Sequence, residues 1–143
     1  MSLVYWDTML FAYLFEGHPE FKPKVAQIAH RMEERGDALC TSVFAVGELL
    51  AGPSRTQRWD EVSKLRAFFR SPELRLLEFK LSTAEIFAEI RGRAGISSGD
   101  AIHLACAAEA QGNALPSSPA ANTVPAQVRK SLAVSSLPVI PRR

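Results

Sequence analysis

Leu3, Val4, Tyr5 and Trp6 form an unbroken apolar run that stops at Asp7, and a second apolar run, residues 9–15, begins just past Thr8. Apolar residues without alternation predict a strand buried on both faces, as in the middle of a parallel sheet, over residues 3–6. Residues 8–15 read as a short helix broken by Gly17-His18-Pro19. Val25, Ile28, Ala29 and Met32 then recur at helical spacing with charges between them, which predicts a helix over 23–35 with Gly36 as its C-cap. Residues 38–41 predict a second strand. Ser42 is placed to cap a helix over 43–51, which Gly52-Pro53 would end. Residues 56–70 give the longest amphipathic pattern, with Trp59, Val62, Leu65, Phe68 and Phe69 on one face and Ser71-Pro72 as the stop. A third strand is expected over 74–79. Ser82 and Glu85 have capping-box spacing and would open a helix from 83 to about 93, ended by Gly95. Ser98 is expected to cap a last helix over 99–111, with Gly112 behind it. Short apolar stretches at 113–115 and 133–140 would supply a fourth and a fifth strand. Strands alternating with helices predict an α/β domain with a mainly parallel sheet.

Composition narrows the class. The 143 residues suit one domain with a sizeable core, and 47% hydrophobic with 22% charged residues is ordinary for a globular chain. A net charge of +2 permits nucleic acid as a partner without indicating it. Cys40 and Cys106 sit in apolar runs with no metal-ligand spacing, so buried free thiols in a reducing compartment are expected. Met1 to Val4 has no basic leader, and no apolar run approaches the ~18 residues needed to span a bilayer. The expectation is a cytoplasmic protein without membrane contact. Residues 110–143 differ from the rest: they hold five of the nine prolines, four basic residues and no Asp or Glu. The chain is expected to be one domain, 1–143, with an atypical, acid-free, proline-rich part over 113–143.

Three acids stand in mostly apolar settings, each at or near a strand-to-helix junction: Asp7, Glu48 and Asp100. Each has a structural reading. Asp7 is a good N-cap for the helix behind it, Glu48 could form the exposed strip of its helix, and Asp100 suits the positive end of a helix dipole. In a parallel sheet such junctions share one edge, where ligands usually bind. Three carboxylates gathered there repel unless a cation neutralises them. Mg²⁺ or Mn²⁺ takes oxygen ligands and completes its shell with water and phosphate, so the chemistry indicated is metal-assisted phosphodiester hydrolysis. Glycine-rich phosphate loops, nucleophile elbows and zinc spacings do not compete.

His103 lies three residues past Asp100, on the same helical side, where it could orient a carboxylate or simply pack with a hydrogen bond. Trp59 with Phe68 and Phe69 reads as core or a dimer face rather than a base-stacking platform. Arg91 and Arg93 are either a solvated helix end or a phosphate contact.

At these residues the chain resembles the PIN-domain ribonucleases, and in its compact size the VapC toxins of VapBC toxin–antitoxin pairs. The likeness rests on a first strand ending in Asp7-Thr8, on Ser42 followed six residues on by Glu48-Leu49, and on Gly99-Asp100-Ala101-Ile102-His103-Leu104-Ala105. The resemblance covers about residues 2–115. It implies a three-layer α/β/α sandwich with a mainly parallel central sheet. It also implies endonucleolytic cleavage of RNA, Mg²⁺ or Mn²⁺ held by Asp7, Glu48 and Asp100 as catalytic and metal-binding acids, a homodimer, and an antitoxin protein as inhibitor. Thr8 matches the hydroxyl beside the family's first acid, and Ser42 stands ahead of the second. The family's fourth acid has no counterpart: the matching stretch is Leu115-Pro116-Ser117-Ser118-Pro119, where Ser117 or Ser118 offers a hydroxyl but no charge. A PIN domain that binds RNA or a protein without cutting is the alternative this departure raises.

Overall fold

The computed structural model describes residues 2–92 and 95–112. The elements are β1 (Leu3–Tyr5), α1 (Thr8–Glu16), α2 (Phe21–Arg35), β2 (Ala38–Ser42), α3 (Val43–Arg55), α4 (Trp59–Phe69), β3 (Arg75–Leu77), α5 (Leu81–Arg91) and α6 (Ser98–Gly112). The three strands form one parallel sheet in the order β1-β2-β3, with Tyr5 beside Cys40 and Ser42 beside Leu77. β2 is central and buried at all five residues, which is why its sequence shows no alternation.

The period-2 geometry of strands sorts the side chains into two layers. Val4, Trp6 and Leu39 join Phe11, Leu14, Val25, Ala29, Met32, Phe68, Phe69 and Leu74 in the main core, under the helices that connect the strands. Right-handed crossovers put both of those connections on the same face. Tyr5, Cys40 and Ser42 point the other way, towards α6, which packs on β1 and β2 and against α5. Ala101, Ala105, Cys106 and Ala110 of α6 are all buried, and their small side chains let its backbone approach the sheet and α5 closely. The result is the expected α/β architecture with a helical layer on each face of the sheet. No helix among the described residues is long and apolar enough to cross a membrane.

Several boundaries depart from the sequence expectation, each for a local reason. α2 begins at Phe21 and carries Pro23 in its first turn, where the missing N–H costs nothing. α3 does not stop at Gly52-Pro53 but runs to Arg55; Pro53 is buried, and the amides of Thr56, Gln57 and Arg58 close the last turn onto Gly52, Ser54 and Pro53 carbonyls. Gln57, at φ 57°, then reverses the chain, so α4 starts only at Trp59. That late start leaves Trp59 in the first turn and 59% exposed, outside the buried face formed by Val62, Phe68 and Phe69. β3 shrinks to three residues. The expected Ser82 capping box is displaced: Thr83 Oγ1 accepts from Lys80 N, while Ser82 donates to Glu109 on α6. α6 is opened by Ser97 rather than Ser98, through a bond from the Asp100 amide to Ser97 Oγ. The expected strands at 113–115 and 133–140, and the proline-rich stretch around them, lie outside the described residues. Both cysteines are buried free thiols, as expected, and burial pushes the Cys40 thiol up to about 12.

Candidate functional site

Where the strands end, three separately encoded stretches meet. Thr8 opens α1 directly behind β1, Glu48 lies in the second turn of α3 behind β2, and His103 lies one turn into α6. Thr8 Oγ1 donates to Glu48 Oε1 at 2.5 Å. His103 Nε2 reaches the same oxygen at 2.8 Å and Thr8 Oγ1 at 3.2 Å. The other ring nitrogen of His103, Nδ1, is 2.8 Å from the Tyr5 hydroxyl, which in turn bonds Ser42 Oγ at 2.9 Å. Ser42 also caps α3, accepting from Ala45 N at 3.1 Å, as its position ahead of the helix predicted. Tyr5 and Phe44 flank the His103 ring edge-on. The cluster therefore grades from a dry base to a wet tip. Ser42 is buried, the His103 side chain is 15% exposed, and Glu48 is 38% exposed.

Burial pushes the Tyr5 hydroxyl up to about 12, against the opposing pull of its bond to Ser42, so it remains a hydroxyl at any physiological pH. Burial likewise raises the Cys106 thiol beneath it.

The other two acids stand at the same kind of junction but spend their described hydrogen bonds locally. Asp7 caps α1, accepting from Leu10 N at 3.1 Å. Asp100 Oδ2 accepts from Ser97 Oγ at 2.8 Å while Ser97 Oγ accepts from the Asp100 amide, a reciprocal cap at the start of α6. Both structural readings given to these acids are thus realised, and neither Asp is hydrogen-bonded to Glu48 among the described residues. Hard carboxylate oxygens with neighbouring hydroxyls are the donor set of Mg²⁺ or Mn²⁺, and Glu48 Oε2 has no hydrogen bond among the described residues. Asp100 and His103 share one side of α6 by their spacing, which puts Asp100 one turn from Glu48's partner. As placed, the described residues hold no group of three or more His, Cys, Asp or Glu that could bind a metal ion. The donor chemistry of the three acids fits such an ion, and Asp7, Glu48 and Asp100 each direct their described bonds to a single carboxylate oxygen.

A cleft of about 980 Å³ opens beside this cluster. Thr8, Glu16 and Glu48 line it with the apolar side chains Phe15, Leu49, Leu65 and Phe68, and Arg58, Glu61 and Lys64 come from α4 and its N-cap. Arg58 is ion-paired to Glu61 at 2.9 Å.

The remaining residues singled out in the sequence go elsewhere. Arg91 donates to the Ile96 carbonyl and closes the loop ahead of α6, so it is a structural link. Arg93, Ser117 and Ser118 lie outside the described residues. His18 Nδ1 accepts from the amides of Glu20 and Phe21 ahead of α2, and exposed His30 pairs with Glu34. Tyr5 was not foreseen as part of the site. Its signal was present: a hydroxyl in an apolar strand, one residue out of phase with Trp6 and so on the α6 face. Asp37 was also missed, but it belongs to the opposite edge of the sheet.

Comparison with the curated proteins and with the solved structures gives no match. The PIN domain family matches residues 4–118, a span that takes in Asp7, Thr8, Ser42, Glu48, Asp100 and His103. PIN domains are generally nucleases that use a divalent metal ion. With the match running over most of its length and a parallel α/β sheet within the matched span, the chain belongs to the PIN-domain family.

Proposed function

We propose that this chain is a divalent-metal-dependent endoribonuclease, the toxin member of a type II toxin–antitoxin pair. The observation that carries the reading is the convergence of three family motifs at one sheet edge: Thr8, Glu48 and His103, from stretches 40 and 55 residues apart, share a single carboxylate oxygen. Asp7, Glu48 and Asp100 would hold Mg²⁺ or Mn²⁺. Bound there, the ion would lower the pKa of a water and stabilise negative charge on the phosphate. The chain's own part is placement. Thr8 donates to Glu48 and keeps its carboxylate turned to the cleft. The cleft holds about 980 Å³, and Lys64, which lines it together with Glu16 and Glu61, offers a cation for the backbone. Its apolar side chains also suit an antitoxin segment laid along α1, α3 and α4 and ending at Glu48, and a homodimer and the cytoplasm are the matching assembly and location.

Purified protein incubated with structured RNA should cut only when Mn²⁺ or Mg²⁺ is present, and EDTA should stop the cutting. No cleavage under any divalent ion would overturn the enzymatic reading.

One observation favours a second reading, a PIN domain that binds RNA or a partner without hydrolysing it. Residues 110–143 contain no acid to complete the ligand set. The same incubation separates the two when a gel-shift lane is added: a shifted but intact RNA with every metal supports binding without cleavage.

A further inference from the structure

The geometry points to Tyr5 and His103 as positioning residues that pin Oε1 of Glu48 and so hold its other oxygen, Oε2, ready for a divalent cation. The inference rests on the nuclease reading and adds residues to it that touch neither RNA nor metal.

Hydrogen-bond accounting makes His103 a donor to Glu48. An ionised carboxylate can only accept, so the nitrogen 2.8 Å from Glu48 Oε1 carries its proton. At the other side of the ring two patterns are self-consistent. Tyr5 donates to Nδ1 and accepts from Ser42, or it accepts from Nδ1–H and donates to Ser42. Both patterns leave Nε2–H aimed at Glu48, so the arrangement does not depend on the charge of the ring.

Position is fixed by covalent and packing constraints from every side. Tyr5 is in β1, Ser42 ends β2 and caps α3, Glu48 rides on α3, and His103 belongs to α6. The chain of bonds from Ser42 through Tyr5 and His103 therefore ties the acid to the cap of its own helix by way of two other elements. Edge-on contacts with Tyr5 at 6.0 Å and Phe44 at 5.5 Å oppose rotation of the imidazole. Without His103, Glu48 would keep only the Thr8 bond to hold a side chain that is 38% exposed. Groups behind a metal ligand that orient it in this way are worth about 10–100-fold in metal affinity.

The test is Mn²⁺ binding to the full chain, read as loss of the free-ion electron paramagnetic resonance signal, alongside RNA cleavage and thermal melting. His103→Ala should weaken Mn²⁺ binding about 10-fold or more, Tyr5→Phe by a smaller factor, and both should regain cleavage as Mn²⁺ is raised. His103→Gln, whose amide can donate to Glu48 and accept from Tyr5, should restore most of the affinity; a purely packing role would not be rescued this way. Unchanged Mn²⁺ affinity in His103→Ala, with Asp100→Asn abolishing binding, overturns the positioning role and leaves the metal site standing. Binding that survives Asp100→Asn and Asp7→Asn overturns the site itself, and no binding by the unmodified chain overturns both. If His103→Ala fails to melt cooperatively, Tyr5→Phe, which keeps the ring, decides the matter by the same affinity.

Discussion

The two ends of the sheet each place an acid beside a cationic or ionisable partner, and they use it in opposite ways. At the end where the strands begin, Asp37 is fully buried. Oδ1 accepts from the Ser2 amide at 2.7 Å and Oδ2 faces Arg35 Nε at 3.2 Å, so both oxygens are engaged and the start of β1 is tied to the turn before β2. At the end where the strands finish, Glu48 is half-exposed at the mouth of a cleft; both its described bonds fall on one oxygen. A saturated acid with no solvent contact stabilises a fold. An acid with one oxygen pinned and the other open is arranged to bind something. Acid content alone does not separate the two edges; the number of partners per oxygen does.

Substitutions should sharpen that contrast, beginning with the largest effect. Asp7→Asn and Asp100→Asn are expected to cut the cleavage rate by about a hundredfold or more, since each removes a charge proposed to hold the metal. Because Asn also caps helices, both should melt close to the unmodified chain. Trp6→Ala and Trp59→Ala give the next contrast. Trp6 is fully buried against Phe11 at the heart of the core, and its loss should cost about 3–5 kcal/mol in urea denaturation. Exposed Trp59 should cost within about 0.5 kcal/mol. Asp37→Ala is expected to cost about 2 kcal/mol, because it leaves the Ser2 amide without its charged acceptor, while cleavage per folded molecule is unchanged.

A further effect is alkaline. Burial raises both Tyr5, from 10.0 to about 12, and Cys40, from 9.0 to about 12. The unfolded chain ionises these groups first, so their contribution to stability is complete below pH 9 and is lost as the pH rises through 9 towards 12. Melting temperature should fall across that window. Cys40→Ala should flatten the lower part of the fall; an unchanged slope would contradict the assignment.

Much of this architecture is legible in the residues. The apolar runs at 3–6 and 38–41 mark strands, and Ser42 caps the helix its position announces; of the two, β2 is central and fully buried, while β1 ends the described strand order and is half-buried rather than enclosed on both faces. The junction acids Asp7, Glu48 and Asp100 can be picked out because polar residues are scarce around them. What sequence hides is competition between neighbouring groups of the same kind. Ser97 and Ser98 are both good caps, and it is Ser97 that accepts from the Asp100 amide. Pro53 reads as a stop, yet burial and three closing amides carry the helix beyond it. Trp59 fits the apolar stripe of α4 by spacing, but the turn at Gln57 sets where the helix begins and leaves the ring outside. Tyr5 enters the site only because β1 and α6, 98 residues apart, meet face to face. No local pattern encodes that distance.

The most direct measurement pairs the two edges in one experiment. Asp37→Asn and Asp100→Asn are each followed by RNA cleavage with Mn²⁺ and by denaturant unfolding. The expected result is crossed: Asp100→Asn loses cleavage at nearly full stability, and Asp37→Asn loses stability at nearly full cleavage per folded molecule. Cleavage that persists in Asp100→Asn, or that disappears in folded Asp37→Asn, would contradict the placement of the active edge.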